Sequence, residues 1–309
     1  EILPENFREE RRKAAALARQ ETKLVAPVDL PRIWRFAQSK DRSSLAPLEK
    51  AYAQLIENES DEVTPYLSRA AFRYDTYDFS GALEDMSKVI ELEATADYYG
   101  QRSSVHAMLL DKEATKADLE EAYALDPSPW RAMALAKAMA NLGDVAGARE
   151  ILEYEDGDEG VRQELAVALA ELDGIEGDPA EGLARIDDML IDEPNHSGLL
   201  NRKCWYMATW QVDVTDGLDV CVKAVENSGE AANILDSRAM MFMRNGMLDE
   251  AYKDVQSALD LRPDQSASVL LRGLIRIEQG DADGQDDIKE ALARDPSLGD
   301  QYRRWGFDV

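Results

Sequence analysis

The stretch that decides the fold is LDSRAMMFMRNGMLDEAYKDVQSALDLRP, residues 235–263. It predicts two helices joined at Gly246 and ended by Pro263, because proline cannot continue a helix. The positions that define it are Ala239, Phe242, Gly246, Leu248, Ala251, Val255, Ala258, Leu261 and Pro263. Small side chains at Ala239 and Ala251 let the two helices approach closely, so we interpret the stretch as one helical hairpin.

This pattern resembles the tetratricopeptide repeat (TPR), with small residues at positions 8, 15 and 20, an aromatic at 11, Ala at 27 and Pro at 32. An earlier unit fits the same template with Ala70, Tyr77, Phe79, Ala82, Met86, Val89 and Leu92. The residue at position 8 recurs as Ala70, Ser103, Ala136, Cys204, Ala239 and Gly273, and the terminating prolines are Pro127, Pro194, Pro263 and Pro296. The resemblance implies an all-α fold, a right-handed superhelical solenoid of antiparallel helix hairpins that bury their apolar faces against neighbours.

The repeats predict the organisation of the whole chain. Residues 63–296 form seven TPR-like hairpins, one of them looser, with helices near 158–173 and 179–191. Residues 297–309 form a C-terminal cap over the last apolar face, through Tyr302, Trp305 and Phe307. Residues 31–62 form a degenerate hairpin, and residues 1–30 form an N-terminal amphipathic helix (4–22) and a linker. We predict no strand, because alternating β-branched runs are absent.

The charge limits the classes of partner. The 309 residues include 62 acidic and 35 basic side chains, a net charge of -27. Residues 1–57 carry 11 basic and 9 acidic side chains, which leaves 24 and 53 for the acidic remainder. Nucleic acid is therefore not an expected partner, since phosphate binding needs clustered Lys and Arg. No apolar run reaches the roughly 20 residues of a membrane span. Because the chain begins at Glu1 rather than Met, we expect a segment to precede it.

Basic residues just before position 8 are followed by acids on the second helix. The spacing is sixteen residues for Arg69–Asp85, Arg102–Asp118, Lys203–Asp219 and Arg238–Asp254. It is fifteen for Arg272–Asp287, whose hairpin has one residue fewer in its turn. Because the spacing changes with the turn, we interpret the pairs as structural salt bridges between the two helices of a hairpin. The alternative is a ladder of arginines that binds an acidic peptide.

The groups that catalysis requires are not recognisable. His106 and His196 are the only histidines, and neither has a ligand-like spacing to a cysteine. The acidic stretch 281–287 fails as a calcium loop, because Asp286 stands where Gly is needed and Leu292 where Glu is needed. We therefore predict a non-enzymatic chain with no catalytic residue, no cofactor and no metal site.

The two cysteines, Cys204 and Cys221, fall on core positions of one hairpin. We predict buried free thiols, with the open alternative that they lie close enough to oxidise to a disulfide.

The TPR resemblance implies a concave groove lined by positions 2, 5, 9, 12 and 13 of the first helices. Those positions include Leu67, Asn141, Leu270 and Ile277. The candidates for peptide binding are Tyr74, Trp130, Met133, Lys137, Asn201, Trp205, Met240, Met243 and Arg244. Co-chaperone members of the family clamp a carboxylate with Lys and Asn at positions that are Leu67 and Ala71 here, so that clamp is not expected.

The groove is apolar, with aromatic and Met anchors, and it predicts a protein or peptide partner. We accordingly predict a protein-interaction or scaffold module. The alternative for these residues is packing against a neighbouring domain or against the N-terminal helix of the same chain.

A second resemblance concerns Leu17-Ala18-Arg19-Gln20-Glu21-Thr22-Lys23-Leu24-Val25-Ala26-Pro27 and Tyr77-Asp78-Phe79-Ser80-Gly81-Ala82-Leu83. Both are similar to the helical C-terminal region of some bacterial secreted transglutaminase-like proteins, where a Cys–His–Asp domain precedes the repeats. The resemblance implies an alternative function, an accessory domain that presents substrate to an upstream catalytic domain of the same polypeptide. It favours a periplasmic or secreted location over a cytoplasmic one, while the sequence itself leaves the compartment open.

Overall fold

All regular secondary structure in the described part of the chain is helical. The computed structural model describes Lys13 and residues 42–153, 157–228 and 231–309, in two compact units that divide after Pro127. Apart from Lys13, the predicted helix over 4–22, the linker and the first part of the 31–62 hairpin lie outside these residues. None of the described helices combines the length and the apolar character that crossing a bilayer requires.

The described residues of the first unit from Arg42 onward form one single helix and two hairpins. A 3₁₀ turn, Arg42–Leu45, leads into the single helix, and consecutive elements pack against each other. The helices are α1 (Ala46–Asn58), α2 (Val63–Asp75), α3 (Phe79–Leu92), α4 (Ala96–Met108) and α5 (Lys112–Leu125).

The second unit contains five hairpins, within the described residues, and a last short helix. Its helices are α6 (Pro129–Asn141), α7 (Val145–Ile151), α8 (Glu159–Glu176), α9 (Pro179–Leu190), α10 (Ser197–Trp210), α11 (Val214–Ser228), α12 (Ala232–Arg244), α13 (Leu248–Leu261), α14 (Ser266–Glu278), α15 (Gly284–Arg294) and α16 (Leu298–Arg304). The helices of each hairpin pack on one another and on the next hairpin. The unit therefore has the serial arrangement of a helical repeat.

The turn inside each hairpin has one conformation that the sequence pattern did not reveal. Every turn contains a residue with a positive φ, and the turn at Gln211 has a second one at Asp213: Tyr77, Leu110, Gly143, Gly177, Gln211, Gly246 and Gly280. In four hairpins the next residue is an aspartate whose side chain accepts a hydrogen bond from the third residue after it: Asp78, Asp111, Asp144 and Asp178. These caps satisfy backbone N–H groups that have no partner inside the helix, so each second helix begins at a defined residue.

Small residues set the distance between paired helices, most clearly in α14 and α15. A Cβ atom added to Gly284 would lie 2.4 Å from the carbonyl oxygen of Gly273. The two backbones are therefore in contact, and position 8 on one helix faces position 20 on the other.

The looser hairpin differs from its predicted bounds. Its first helix was predicted to end near residue 173, but α8 continues to Glu176 and Gly174 is buried within it. A Cβ atom there would lie 2.5 Å from the ring of Trp210. This glycine therefore makes room for an indole and does not form the turn.

The prediction of free thiols is corrected by the structure. Cys204 on α10 and Cys221 on α11 form a disulfide with a Cα–Cα distance of 5.0 Å, and both residues are fully buried. The core positions of the two helices face each other across the hairpin, so the two sulfur atoms meet. The disulfide links the helices of the hairpin that carries Trp205.

Candidate peptide-binding groove

Several candidate groove residues of the second unit contact a segment of their own chain. We call residues 304–307, Arg-Trp-Gly-Phe, the C-terminal segment. Four of the candidate groove residues surround it or lie beneath it: Trp205, Met240, Met243 and Arg244. Met240 and Met243 are buried in the same apolar cluster as Trp305 and Phe307. Within the described residues, these four pack against a segment of the same chain, whereas the N-terminal helix named in the alternative interpretation lies outside the described residues.

Trp205 and Trp305 form the central contact. Their rings meet edge to face, with centroids 5.4 Å apart and an interplanar angle of 85°. Such a pair contributes beyond the area it buries, because the positive edge of one ring lies on the negative face of the other. Trp305 is buried, whereas Trp205 stays partly open.

Arg244 binds the segment in two ways. Its Nη2 donates to the carbonyl oxygen of Trp305 at 2.6 Å, and its guanidinium carbon lies 3.9 Å from the ring centroid of Phe307. Its Nε donates to the carbonyl oxygen of Ala208 at 3.1 Å, which fixes the side chain. Burial lowers the pKa of Arg244, but an arginine remains charged in proteins, so the cation–π contact persists. Gln211 donates a further hydrogen bond to the same Trp305 carbonyl at 3.5 Å.

Arg304 binds at the opposite end of the segment. Its Nη2 donates to Oδ1 of Asn141 on α6 at 2.7 Å. Glu171 on α8 lies nearby, and Trp210 Nε1 donates to its carboxylate at 3.2 Å. Burial raises the pKa of Glu171, and the charges of Lys137 and Arg304 oppose that rise. This end of the groove is therefore suited to a cation.

Sequence reasoning missed Glu171 as a groove residue. The looser hairpin has no obvious register, but Gly182 packs on Ala170, and a Cβ on Gly182 would lie 2.7 Å from the Ala170 carbonyl oxygen. If Ala170 is position 8 and Gly182 is position 20, Glu171 is at position 9. Trp205 occupies the same position in the next hairpin.

Asp236, at groove position 5 of its hairpin, was also missed. It is buried on α12, and Gln265 Nε2 donates to its Oδ2 at 3.3 Å. Burial raises its pKa to about 6. Tyr302, which donates to the Ala267 carbonyl oxygen at 3.3 Å, has its pKa raised by burial and by Asp236.

The remaining candidates lie apart from the C-terminal segment. Trp130 is 58% exposed, Lys137 is exposed, and Met133 and Asn201 are half-buried. Tyr74 belongs to the first unit, where its ring meets Phe79 edge to face at 5.4 Å. The exposed indole of Trp130 is a large apolar surface at the start of the second unit's groove.

The four arginines of the predicted pairs each hold their aspartate with two hydrogen bonds, Nε to Oδ2 and Nη2 to Oδ1. The distances are 2.9 and 2.6 Å for Arg69–Asp85, 2.8 and 2.6 Å for Arg102–Asp118, 2.6 and 2.9 Å for Arg238–Asp254, and 2.9 and 2.7 Å for Arg272–Asp287. The aspartates are buried. The arginines are therefore engaged within their own hairpins.

The Lys203–Asp219 pair was predicted wrongly. Lys203 Nζ lies 2.5 Å from Asp187 on α9, and Asp219 is exposed. In the preceding hairpin, α8 and α9, the buried acid is Asp173 on the first helix. Arg149 and Arg185 donate hydrogen bonds to its carboxylate at 2.8 and 2.5 Å.

Comparison with solved structures finds TPR folds. A tetratricopeptide repeat protein from Parabacteroides merdae is similar over 79% of this chain and 98% of its own, with a TM-score of 0.59 and 12% identity. YrrB, a TPR protein with an unusual peptide-binding site, matches 71% of this chain and 96% of its own, with a TM-score of 0.32 and 14% identity. The C-terminal part of a TPR protein from Cytophaga hutchinsonii matches 75% and 98%, with a TM-score of 0.41 and 11% identity. The first similarity shows the fold, and the lower scores carry no further argument.

No protein-family model and no curated protein matches the chain. The resemblance to transglutaminase-like proteins therefore stays a prediction.

Proposed function

We propose, from the premise that this chain is a TPR-like helical-repeat protein, that its second unit binds a peptide or protein segment in the concave groove. TPR folds support a protein-interaction or scaffold role, and they indicate no catalytic family. The observation that carries the finer proposal is the seating of residues 304–307 on Asn141, Trp205 and Arg244. A surface that holds one short segment through side-chain and carbonyl contacts has the chemistry to hold another.

The groove combines anchors of two kinds. Trp205 and the half-buried Met133 offer adaptable apolar contact, while Arg244 and Gln211 donate to a backbone carbonyl. Trp130 adds an exposed indole outside the C-terminal segment. Trp and Arg are the residue types that most often dominate binding energy at interfaces.

The test is quantitative capture of binding proteins by the full chain, followed by titration of each purified partner. Trp130→Ala/Lys137→Ala changes two exposed groove residues without touching the core, so the fold should survive. Tyr252→Ala is the matched control, because Tyr252 is an exposed aromatic on α13, a second helix outside the groove. We expect the groove variant to lose at least tenfold in affinity and the control to match the parent. Equal affinities for all three proteins would refute groove binding.

A further inference from the structure

We propose that the C-terminal segment is a resident ligand of the groove, and that the external partner is a protein segment of the same chemistry, an arginine followed by aromatic residues, which binds by displacing it. This inference rests on the proposed function and names its partner class.

The contacts of the segment are distributed as in a bound peptide. Asn141 on α6, Trp205 on α10 and Arg244 on α12 come from three different hairpins, and they bind three successive features of the segment. Those features are the guanidinium of Arg304, the indole of Trp305 and the carbonyl that follows it. The groove residues thus contact both side chains and backbone of the segment, in the order of its sequence.

The charges of the groove differ between its two ends. Near Arg304 lie the Asn141 amide and the half-buried Glu171, which are acceptors for a cation. Near Phe307 lies the Arg244 guanidinium, which favours an aromatic face and a carbonyl oxygen. A segment with the reverse order would put its basic residue beside Arg244 and leave Glu171 without a cation, so the groove selects a basic residue first and an aromatic residue after it.

The segment can leave while the end of the unit stays covered. Leu298 and Tyr302 on α16 are buried in the main cluster, and Tyr302 is tied to Ala267 on α14. The C-terminal segment follows this anchor, and its own Gly306 has φ +84° and is exposed. Because the anchor holds the segment close, its effective concentration is of millimolar order, and an external segment must overcome it.

The experiment uses the full chain and a fluorescein-labelled peptide of residues 298–309, with fluorescence anisotropy as the readout. Trp305→Ala/Phe307→Ala in the protein weakens the resident segment, and we expect it to bind the peptide at least tenfold more tightly than the parent does. Adding Arg244→Ala to that variant should abolish the increase in peptide affinity. A peptide in which Trp305 and Phe307 are replaced by Ala should not bind.

A second variant guards against loss of folding. Gly306→Ala strains a left-handed backbone position where an added Cβ meets only the end of Gln211, at 3.5 Å, so it loosens the segment without emptying the core. It should also tighten peptide binding, with an unchanged helical circular dichroism spectrum. Equal peptide affinity in the parent and both variants, or no binding to any of them, would overturn the resident-ligand inference. In that event a loss of partner binding in Trp130→Ala/Lys137→Ala would still support the groove itself, so the two failures are distinguishable.

Discussion

Arg272 holds Asp287 with the same two hydrogen bonds that join Arg69 to Asp85, although fifteen residues separate the first pair and sixteen the second. Gly284 follows Gly273 by eleven positions, whereas Ala82 follows Ala70 by twelve, and the acid has moved with this change. The contact across the hairpin is therefore kept, while the sequence spacing is not. This agrees with a structural role, since a ligand-binding arginine would not need an acid that follows the turn.

Arg238→Ala should lower the free energy of unfolding by about 1–3 kcal/mol, because it leaves the buried Asp254 carboxylate unpaired. Chemical denaturation measures the change. Lys289→Ala is the control, since Lys289 and Asp286 are 74% and 84% exposed, and exposed pairs contribute about 0–1 kcal/mol. Unchanged stability in Arg238→Ala together with lost partner binding would favour the arginine-ladder alternative.

Gly284→Ala should destabilise the protein by about 1–3 kcal/mol, because the new methyl group would press on the Gly273 carbonyl at 2.4 Å. Gly100→Ala is the matched control. Gly100 lies within α4 and has no neighbouring atom within 4 Å of an added Cβ, so alanine should stabilise by about 0.5–1 kcal/mol. Thermal unfolding of both variants checks the opposite signs, and a shift of the same sign in both would contradict this account of the helix contact.

Asp236→Asn should be more stable than the parent at neutral pH, and this difference should shrink at acid pH. The pKa of Asp236 is raised from 3.8 to about 6 by burial, so the folded state takes up a proton there. The contribution of Asp236 to stability therefore falls as pH rises from about 4 to about 6 and stays low above that, at a cost of roughly 3 kcal/mol.

The measurement for Asp236 is the difference in unfolding free energy between variant and parent across pH 4–8. Asp219→Asn, which removes an exposed carboxylate on α11, is the control for net charge. A difference that does not grow with pH would show that Asp236 ionises freely in the folded state.

The disulfide between Cys204 and Cys221 predicts that protein denatured without reductant reacts with no maleimide, and that reduced protein reacts twice. Cys204→Ala/Cys221→Ala should lower the unfolding free energy by about 2–3 kcal/mol, because the bond closes a short loop in the unfolded chain. Two reactive thiols in the unreduced protein would restore the free-thiol prediction.

The sequence alone determined the helical-repeat fold and the arginine–aspartate partners. Small residues such as Ala239 and Ala251 recur with the period of the hairpin, and Arg238 meets Asp254 within one hairpin. Such contacts join residues fewer than about 35 positions apart, so a spacing that recurs in the sequence is enough to predict them. Lys203 shows the limit, since its partner lies in the preceding hairpin and no repeated spacing marks it.

Only the tertiary structure decided what packs against the candidate groove residues of the second unit. Trp205 and Trp305 stand one hundred residues apart, and no period connects them. Trp305 and Phe307 were predicted as part of a C-terminal cap, and Trp205 and Arg244 as groove residues. Neither sequence pattern indicated that these two sets of residues are in contact. They meet because stacked hairpins bring distant first helices side by side, and the chain that follows α16 then lies along the surface they form.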